Sequence, residues 1–221
     1  MPERLSGESA RIDAAAEVED RLRDALVVDL DAGFADVVRV HERVVYSVAL
    51  RLTRRREDAE DVAADAFLRA YRALRRFDAA RIRVLRLRPW LLTILRNTAR
   101  NAVRDAGRRP GPALVSEPVD GVAAGPSVEE QVEADHAQRA WGELLARLPE
   151  TQRTAVVLRH VEDLQTGEVA EVLGCPEGTA KSHISRGLKK LRALLADDAD
   201  GPPGSLMIEP PQAATSGRTV R

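Results

Sequence analysis

One cysteine, Cys175, stands in a chain of 221 residues. That excludes a disulfide framework within the chain and any metal site built from several thiolates. Aromatic residues make up only 3% of the sequence, so the core has to be aliphatic, assembled from Ala, Val and Leu. No apolar run approaches the roughly 18 residues of a membrane span. The acidic opening MPERLSGESARIDAAAEVED lacks the basic and apolar regions of a signal peptide. These absences predict a soluble protein of the reducing cytoplasm. No Gly-rich phosphate loop, Cys/His cluster or nucleophile with a positioned base is present, so no catalytic residue, no metal and no cofactor is expected. Charge of one sign is lacking too: 34 Lys+Arg face 35 Asp+Glu, a net charge of −1 that argues against a uniformly basic nucleic-acid coat.

The balanced total hides strong segregation. Residues 1–33 carry −5, residues 34–109 carry +10, residues 110–137 carry −6, residues 138–195 carry +2 and the remainder carries −2. A basic block flanked by acidic stretches fits a polyanion-binding domain whose flanks lower nonspecific sticking, or a solvated Arg-rich surface. Organisation follows the same lines. The run GRRPGPALVSEPVDGVAAGPSV holds four prolines and four glycines, which sustain neither helix nor packed strand, and reads as an inter-domain linker. The tail from Gly201 is similarly Pro- and Gly-rich and reads as disordered. The expected divisions are an acidic N-terminal extension at 1–33, a first domain at 34–109, an acidic linker with the start of a helix at 110–137, a second domain at 138–196 and a tail at 197–221.

Within the first domain, Phe34, Val37, Val38, Val45, Val48, Ala49 and Leu52 recur at helical steps. His41 falls on this stripe as a boundary histidine. A second helix follows RRREDAEDV, and a third opens near Pro89 and buries Trp90, Leu91, Ile94, Leu95 and Thr98. With no alternating segment, the fold class is all-α. Asp58, Asp61 and Asp65 share one ridge of the second helix. Without a His or Cys partner they suit docking or solvation better than acid/base chemistry. The third helix carries Arg96, Asn97, Arg100, Asn101 and Arg104, and the loop before it carries Arg81, Arg83, Arg86 and Arg88. Arginine neutralises phosphates, and asparagine offers paired donor and acceptor groups to base edges. Tyr71, Phe77 and Trp90 are placed to stack on unpaired bases, or to fill the core.

In the second domain, GEVAEVLGCPEGTAKSHISRGLKKLRALL sets Ala170 where two helices approach, Gly174 at the turn and Pro176 ahead of the next helix. Ala180, Ile184, Leu188, Leu191 and Leu195 form that helix's inner face. This is a helix-turn-helix layout, whose second helix enters the major groove. Glu177, Thr179, Lys181, Ser182, His183 and Arg186 stand at its reading end, a mixture of base readers and phosphate binders.

The two ordered stretches, DAEDVAADAFLRAYRAL with PWLLTILRNTARN, and LPETQRTAVVLRHVEDLQTGEVAEVLGCPEGTAKSHISRGLKKLR, resemble regions 2 and 4 of bacterial sigma factors of the sigma-70 family, extracytoplasmic-function (ECF) group. The resemblance covers nearly all of residues 34–195. It implies two small helical domains, a region 2 three-helix bundle and a region 4 helix-turn-helix, joined by a flexible acidic linker. It further implies core RNA polymerase, promoter DNA and an anti-sigma factor as partners. Asp58, Asp61 and Asp65 would meet the β′ clamp, and region 4 the β flap. Asn97 matches the asparagine of the pocket that takes a flipped minus-ten base, with Arg69 and Phe77 matching positions near it. Lys181, Ser182, His183 and Arg186 match positions that read the minus-35 element. The loop from Phe77 to Trp90 is longer and more basic than the family pattern, and His183 stands where arginine is frequent. A stand-alone helix-turn-helix regulator is the alternative, and a helical enzyme ranks below it.

Overall fold

The computed structural model describes residues 3–53, 55–106 and 140–199, and every regular element among them is a helix. The linker expected at 110–137 and the tail from Gly201 lie outside the described residues. The tail boundary expected at 197 shifts, since the last helix continues to Ala199.

Helix α1 (Glu3–Val28) runs through the stretch expected as an acidic N-terminal extension. Leu22 and Leu26, one helical turn apart, are 5% and 2% exposed, and Val18 packs beside them. A count of charges hides three apolar positions spaced by four. The chain then breaks at Asp29, whose carboxylate accepts hydrogen bonds from the amides of Asp31 (2.9 Å) and Ala32 (3.1 Å), capping α2 (Leu30–Thr53). Gly33 is obligatory there, because a Cβ would lie 2.5 Å from the Leu26 nitrogen. Helix α2 buries Val37, His41, Val45, Val48, Ala49 and Leu52, the stripe read from the sequence with few changes.

Helix α3 (Arg56–Leu74) turns Ala59, Ala63, Ala66 and Ala70 inward, and these small side chains let neighbouring helices close on it without aromatic filler. The short α4 (Ala79–Arg83), absent from the sequence reading, is nucleated by Asp78, whose carboxylate accepts from the Arg81 amide at 2.7 Å. Helix α5 (Leu87–Ala106) begins two residues before Pro89 and buries Leu87, Leu91, Leu92 and Leu95 completely. Its first amides are orphan donors. Glu19 of α1 satisfies two of them, accepting from Leu87 (2.9 Å) and Arg88 (3.2 Å).

The second unit comprises α6 (helical over residues 140–146), α7 (Glu150–His160), α8 (Thr166–Leu173) and α9 (Glu177–Ala199). A reciprocal capping box between Gln165 and Glu168 starts α8, and Gly174 ends it at φ 66°, a left-handed conformation that glycine adopts without strain. At Gly187, α9 crosses α7 so closely that a Cβ would sit 2.6 Å from Val156 Cγ2 and 3.1 Å from the Gln152 carbonyl. The two units touch: α8 packs on α5, and α7 on α2.

His41 is 5% exposed, with its Nε2 3.6 Å from Glu19 Oε1 and no hydrogen-bond partner. Burial, aided by Arg88, lowers its pKa to about 4, so the ring is neutral in the fold. Burial raises the Glu19 carboxyl, which opposes the same trend. A histidine that refuses a proton in the folded state leaves the unfolded chain binding more protons between about pH 4 and 6.5, so stability falls as pH falls through that window. Urea unfolding at pH 7 and 4.5 is expected to show a loss of about 2 kcal/mol from this ring, absent in His41→Gln. Equal pH dependence in the two proteins would contradict a neutral His41.

Candidate nucleic-acid interface

The site is built on α5. With Leu91, Leu92, Leu95 and Ala99 committed to the core, the 3.6-residue period sends Asn97, Arg100 and Arg104 outward and leaves Asn101 half-buried. These four, with Val103 and Glu150 of α7, line an open cleft of about 570 Å³. Arg104 Nη2 donates to Asn101 Oδ1 at 3.3 Å, which orients that amide. The side chain of Asn97 is exposed. A wall of amides and guanidinium groups offers base edges hydrogen-bonding partners and phosphates positive charge.

Phe77 and Trp90 come together, but apart from that cleft. Their rings lie 5.9 Å apart at 54°, and the Arg81 guanidinium covers the Phe77 ring at 3.7 Å. The α4 cap at Asp78 fixes this arrangement, because the residue it caps is Arg81 itself. Trp90 precedes Asn97 by seven residues, about two turns or ~10 Å along the same side of α5. Arg69 is not in the cleft: its Nε donates to Asp65 Oδ2 at 2.8 Å on the exposed ridge of α3, where Asp58 and Asp61 are also exposed. Two residues assigned to different roles thus share one ion pair. Tyr71, considered as a base platform, instead packs on Phe34 (5.2 Å) and donates to Asp31 at 2.6 Å, tying α3 to α2.

On α9, Glu177, Thr179, Lys181 and Arg186 face solvent, as do Lys189 and Lys190. Ser182 is half-buried and donates to the Gly178 carbonyl at 2.9 Å, so its hydroxyl proton is spent on its own helix. His183 is half-buried too, with Nδ1 buried and unpartnered. Cys175 packs in the turn as a small apolar residue. Among the described residues no group of three or more His, Cys, Asp or Glu side chains is arranged to hold a metal, and no helix is long and apolar enough to cross a membrane.

Several of the arginines expected to meet phosphate instead join the two units, together with residues the sequence did not single out. Arg86 pairs with Glu171 and, at 3.3 Å, with Glu168. Arg88 Nη2 donates to the Glu162 carbonyl at 2.6 Å, and Arg96 Nη1 to the carbonyls of Val172 and Leu173, both at 3.4 Å. Arg100 Nε stands 3.8 Å from Glu150 Oε2. From α2, Ser47 donates to the Glu162 carboxylate, and Arg153 of α7 donates to the Leu52 carbonyl at 3.4 Å. The basic loop signalled a polyanion partner in the sequence, and nothing there showed that the partner includes this chain's own carboxylates.

An all-helical bundle carrying an amide-and-arginine cleft, coupled to a helix-turn-helix, defines a DNA-binding transcription protein. Residues 37–109 match the family model described as Sigma-70 region 2, and residues 138–191 the one described as Sigma-70, region 4. The chain belongs to the sigma-70 family, in its ECF group, and its function is that of an RNA polymerase sigma factor directing transcription initiation at promoters. It is 30% identical over 190 residues to the ECF RNA polymerase sigma factor SigW of Bacillus subtilis, covering 81% of this chain and 97% of that protein. It is 33% identical over 159 residues to the RNA polymerase sigma-H factor of Pseudomonas aeruginosa, covering 68% and 79%. Among solved structures, CnrH in complex with the cytosolic domain of CnrY superposes with TM-score 0.62 at 23% identity, over 83% of this chain and 99% of that one. The sigma factor RpoE in complex with the anti-sigma factor NepR from Bartonella quintana gives 0.56 at 25%, over 75% and 98%.

Proposed function

We propose that the chain divides initiation between its two units, the region 2 bundle holding unpaired bases and the region 4 helix-turn-helix reading duplex. The observation that carries this is the cleft of Asn97, Arg100, Asn101 and Arg104 on one exposed side of α5. Asn97 would hydrogen-bond a base extruded from the minus-ten element, Arg100 and Arg104 would neutralise the strand around it, and Trp90 with Phe77 would support a neighbouring base by stacking. Unstacking a base costs a few kcal/mol, which these contacts offset. Arg69, paired with Asp65, would take part in the docking ridge rather than in the cleft. Glu177, Thr179, Lys181 and Arg186 would read the minus-35 element, with Ser182 and His183 contributing where they emerge from the helix packing. The ridge of Asp58, Asp61 and Asp65 would dock on the β′ clamp and region 4 on the β flap. No bond chemistry is required, so the protein acts by binding and not as an enzyme, in the cytoplasm. An anti-sigma factor as regulator is supported by the complex in which the structural neighbour RpoE was solved with the anti-sigma factor NepR.

Run-off transcription with purified core polymerase on a genomic promoter pool tests this reading. Discrete transcripts that depend on the chain are expected. Tight duplex binding by the free chain as a dimer, with no effect on polymerase, would favour a stand-alone regulator.

A further inference from the structure

We infer that Glu19 and Arg23 of α1 are positioning residues for base holding: they fix the main chain where α4 passes into α5, and so set where Phe77 and Trp90 stand. The inference rests on the reading that region 2 holds unpaired bases. Neither residue belongs to the stretches that resemble region 2, and neither is open to a strand, since their side chains are only 19% and 17% exposed. Standing one helical turn apart, they address the backbone of a single short segment. Arg23 Nη1 donates to the Leu85 carbonyl at 3.0 Å, and the Glu19 carboxylate accepts from the amides of Leu87 (2.9 Å) and Arg88 (3.2 Å). Their own approach at 3.7 Å, and the pairing of Arg23 with Asp20, keep the two groups in register. All three bonds to the segment go to main chain. The side chains of Arg83, Val84 and Arg86 are left exposed, Val84 by 79%.

Local structure explains why this corner needs support from outside. Helix α4 is five residues long, too short to be stable by itself. Asp78 caps its start and Ile82 is buried, which anchors the Phe77 side of the corner. On the other side α5 opens with donors that have no intrahelical partner, and a carboxylate placed there also favours the helix dipole. The Trp90 amide donates to the Arg86 carbonyl at 3.1 Å, so the indole follows directly on the amides that Glu19 holds. Burial pushes the Glu19 carboxyl up, while the two amides, Arg23 and Arg88 pull it down. A carboxylate in that setting is costly unless its oxygens are bonded, so α1 gains from the corner as the corner gains from α1. A binding constellation has to stay within about 0.5 Å of its productive geometry, held by groups that do not themselves touch the ligand. Glu19 and Arg23 answer that description for the ring pair of Phe77 and Trp90, 5.9 Å apart across the corner.

The test has two arms. In the free full-length chain, hydrogen exchange reads the Leu87 and Arg88 amides. Glu19→Ala is expected to speed their exchange at least about tenfold, the factor that a hydrogen bond to a charged group supplies. In reconstituted holoenzyme, on a promoter recovered by run-off transcription, three quantities are read: upstream protection, permanganate reactivity at the minus-ten element, and discrimination between that element and its single-base variants. Glu19→Ala should open the promoter about tenfold less, within the worth of one base-stacking contact, and flatten the discrimination, with upstream protection unchanged. Arg23→Ala should shift both in the same direction, and Glu19→Gln, which keeps one acceptor oxygen, should recover part of each loss. Val48→Ala, a truncation of the α2 core, controls for stability and should lower the thermal midpoint while leaving discrimination as in the parent. Unchanged amide exchange, parent-like opening and discrimination in Glu19→Ala, or equal flattening in Val48→Ala would each overturn the positioning role. Asn97→Ala in the same assay reports separately on base holding. Normal opening there would remove that reading, whereas impaired opening there beside a parent-like Glu19→Ala would remove the positioning role alone.

Discussion

Asp61→Lys combined with Asp65→Lys is expected to abolish co-purification with core RNA polymerase while leaving the fold in place. Both acids lie on the outer ridge of α3, Asp61 exposed and Asp65 with 40% of its side chain accessible, so neither supports the core. The exposed Asp65–Arg69 pair contributes at most about 1 kcal/mol to stability. Placing a lysine one turn from Arg69 adds a repulsion of a few tenths of a kcal/mol. At an interface the same reversals act differently, because each leaves a partner's cation desolvated beside a like charge. That costs roughly 2–5 kcal/mol per contact, or about 30- to several-thousand-fold in affinity. Glu42→Lys on α2, an exposed acid away from the ridge, serves as the control and should leave the complex intact. Unchanged affinity of the double variant for core enzyme, with an unaltered thermal midpoint, would remove the ridge from the docking surface.

Asn97→Ala is expected to impair promoter opening far more than upstream binding. The asparagine is exposed on a helix that alanine favours, so stability should hold or rise slightly. A specific base contact is worth about 1–3 kcal/mol, which corresponds to roughly 5- to 150-fold fewer open complexes. Permanganate reactivity of unpaired thymines measures melting, and protection of the upstream element measures recognition by α9. Loss of the first with retention of the second is the expected pattern. Normal permanganate reactivity would mean that the cleft lined by Asn97, Arg100 and Asn101 does not hold the extruded base.

Much of this molecule is legible in its residues, for identifiable reasons. The stripes of α2, α3 and α5 face one aliphatic core, and the Gly174–Pro176 turn follows backbone rules that operate within a few residues, so periodicity and turn chemistry find them. Helix α1 escapes that reading because its acidic composition outweighs Val18, Leu22 and Leu26, while its key polar act, the capping of α5 by Glu19, joins residues 68 and 69 positions apart. The candidate site divides similarly. Asn97, Arg100, Asn101 and Arg104 share a helix and stay together. Arg69 matches a position in a family motif, yet a neighbour one turn away claims its side chain. The inter-domain arginines are beyond sequence reading altogether, since Arg86 meets a carboxylate 85 residues downstream and Arg88 a carbonyl 74 residues downstream.

The crossing at Gly187 bears on how such a protein can change its target. With only a hydrogen between α9 and the Gln152 backbone, the recognition helix is seated in a notch, and a larger residue would have to lift it off α7. Its angle is set by that notch, whereas Glu177, Thr179, Lys181 and Arg186 project into solvent away from it. Mount and lettering are therefore separate parts of the same helix. With the promoter read as proposed, the exposed positions would take new preferences without re-aiming the domain, while a single methyl group at residue 187 would tilt every letter at once.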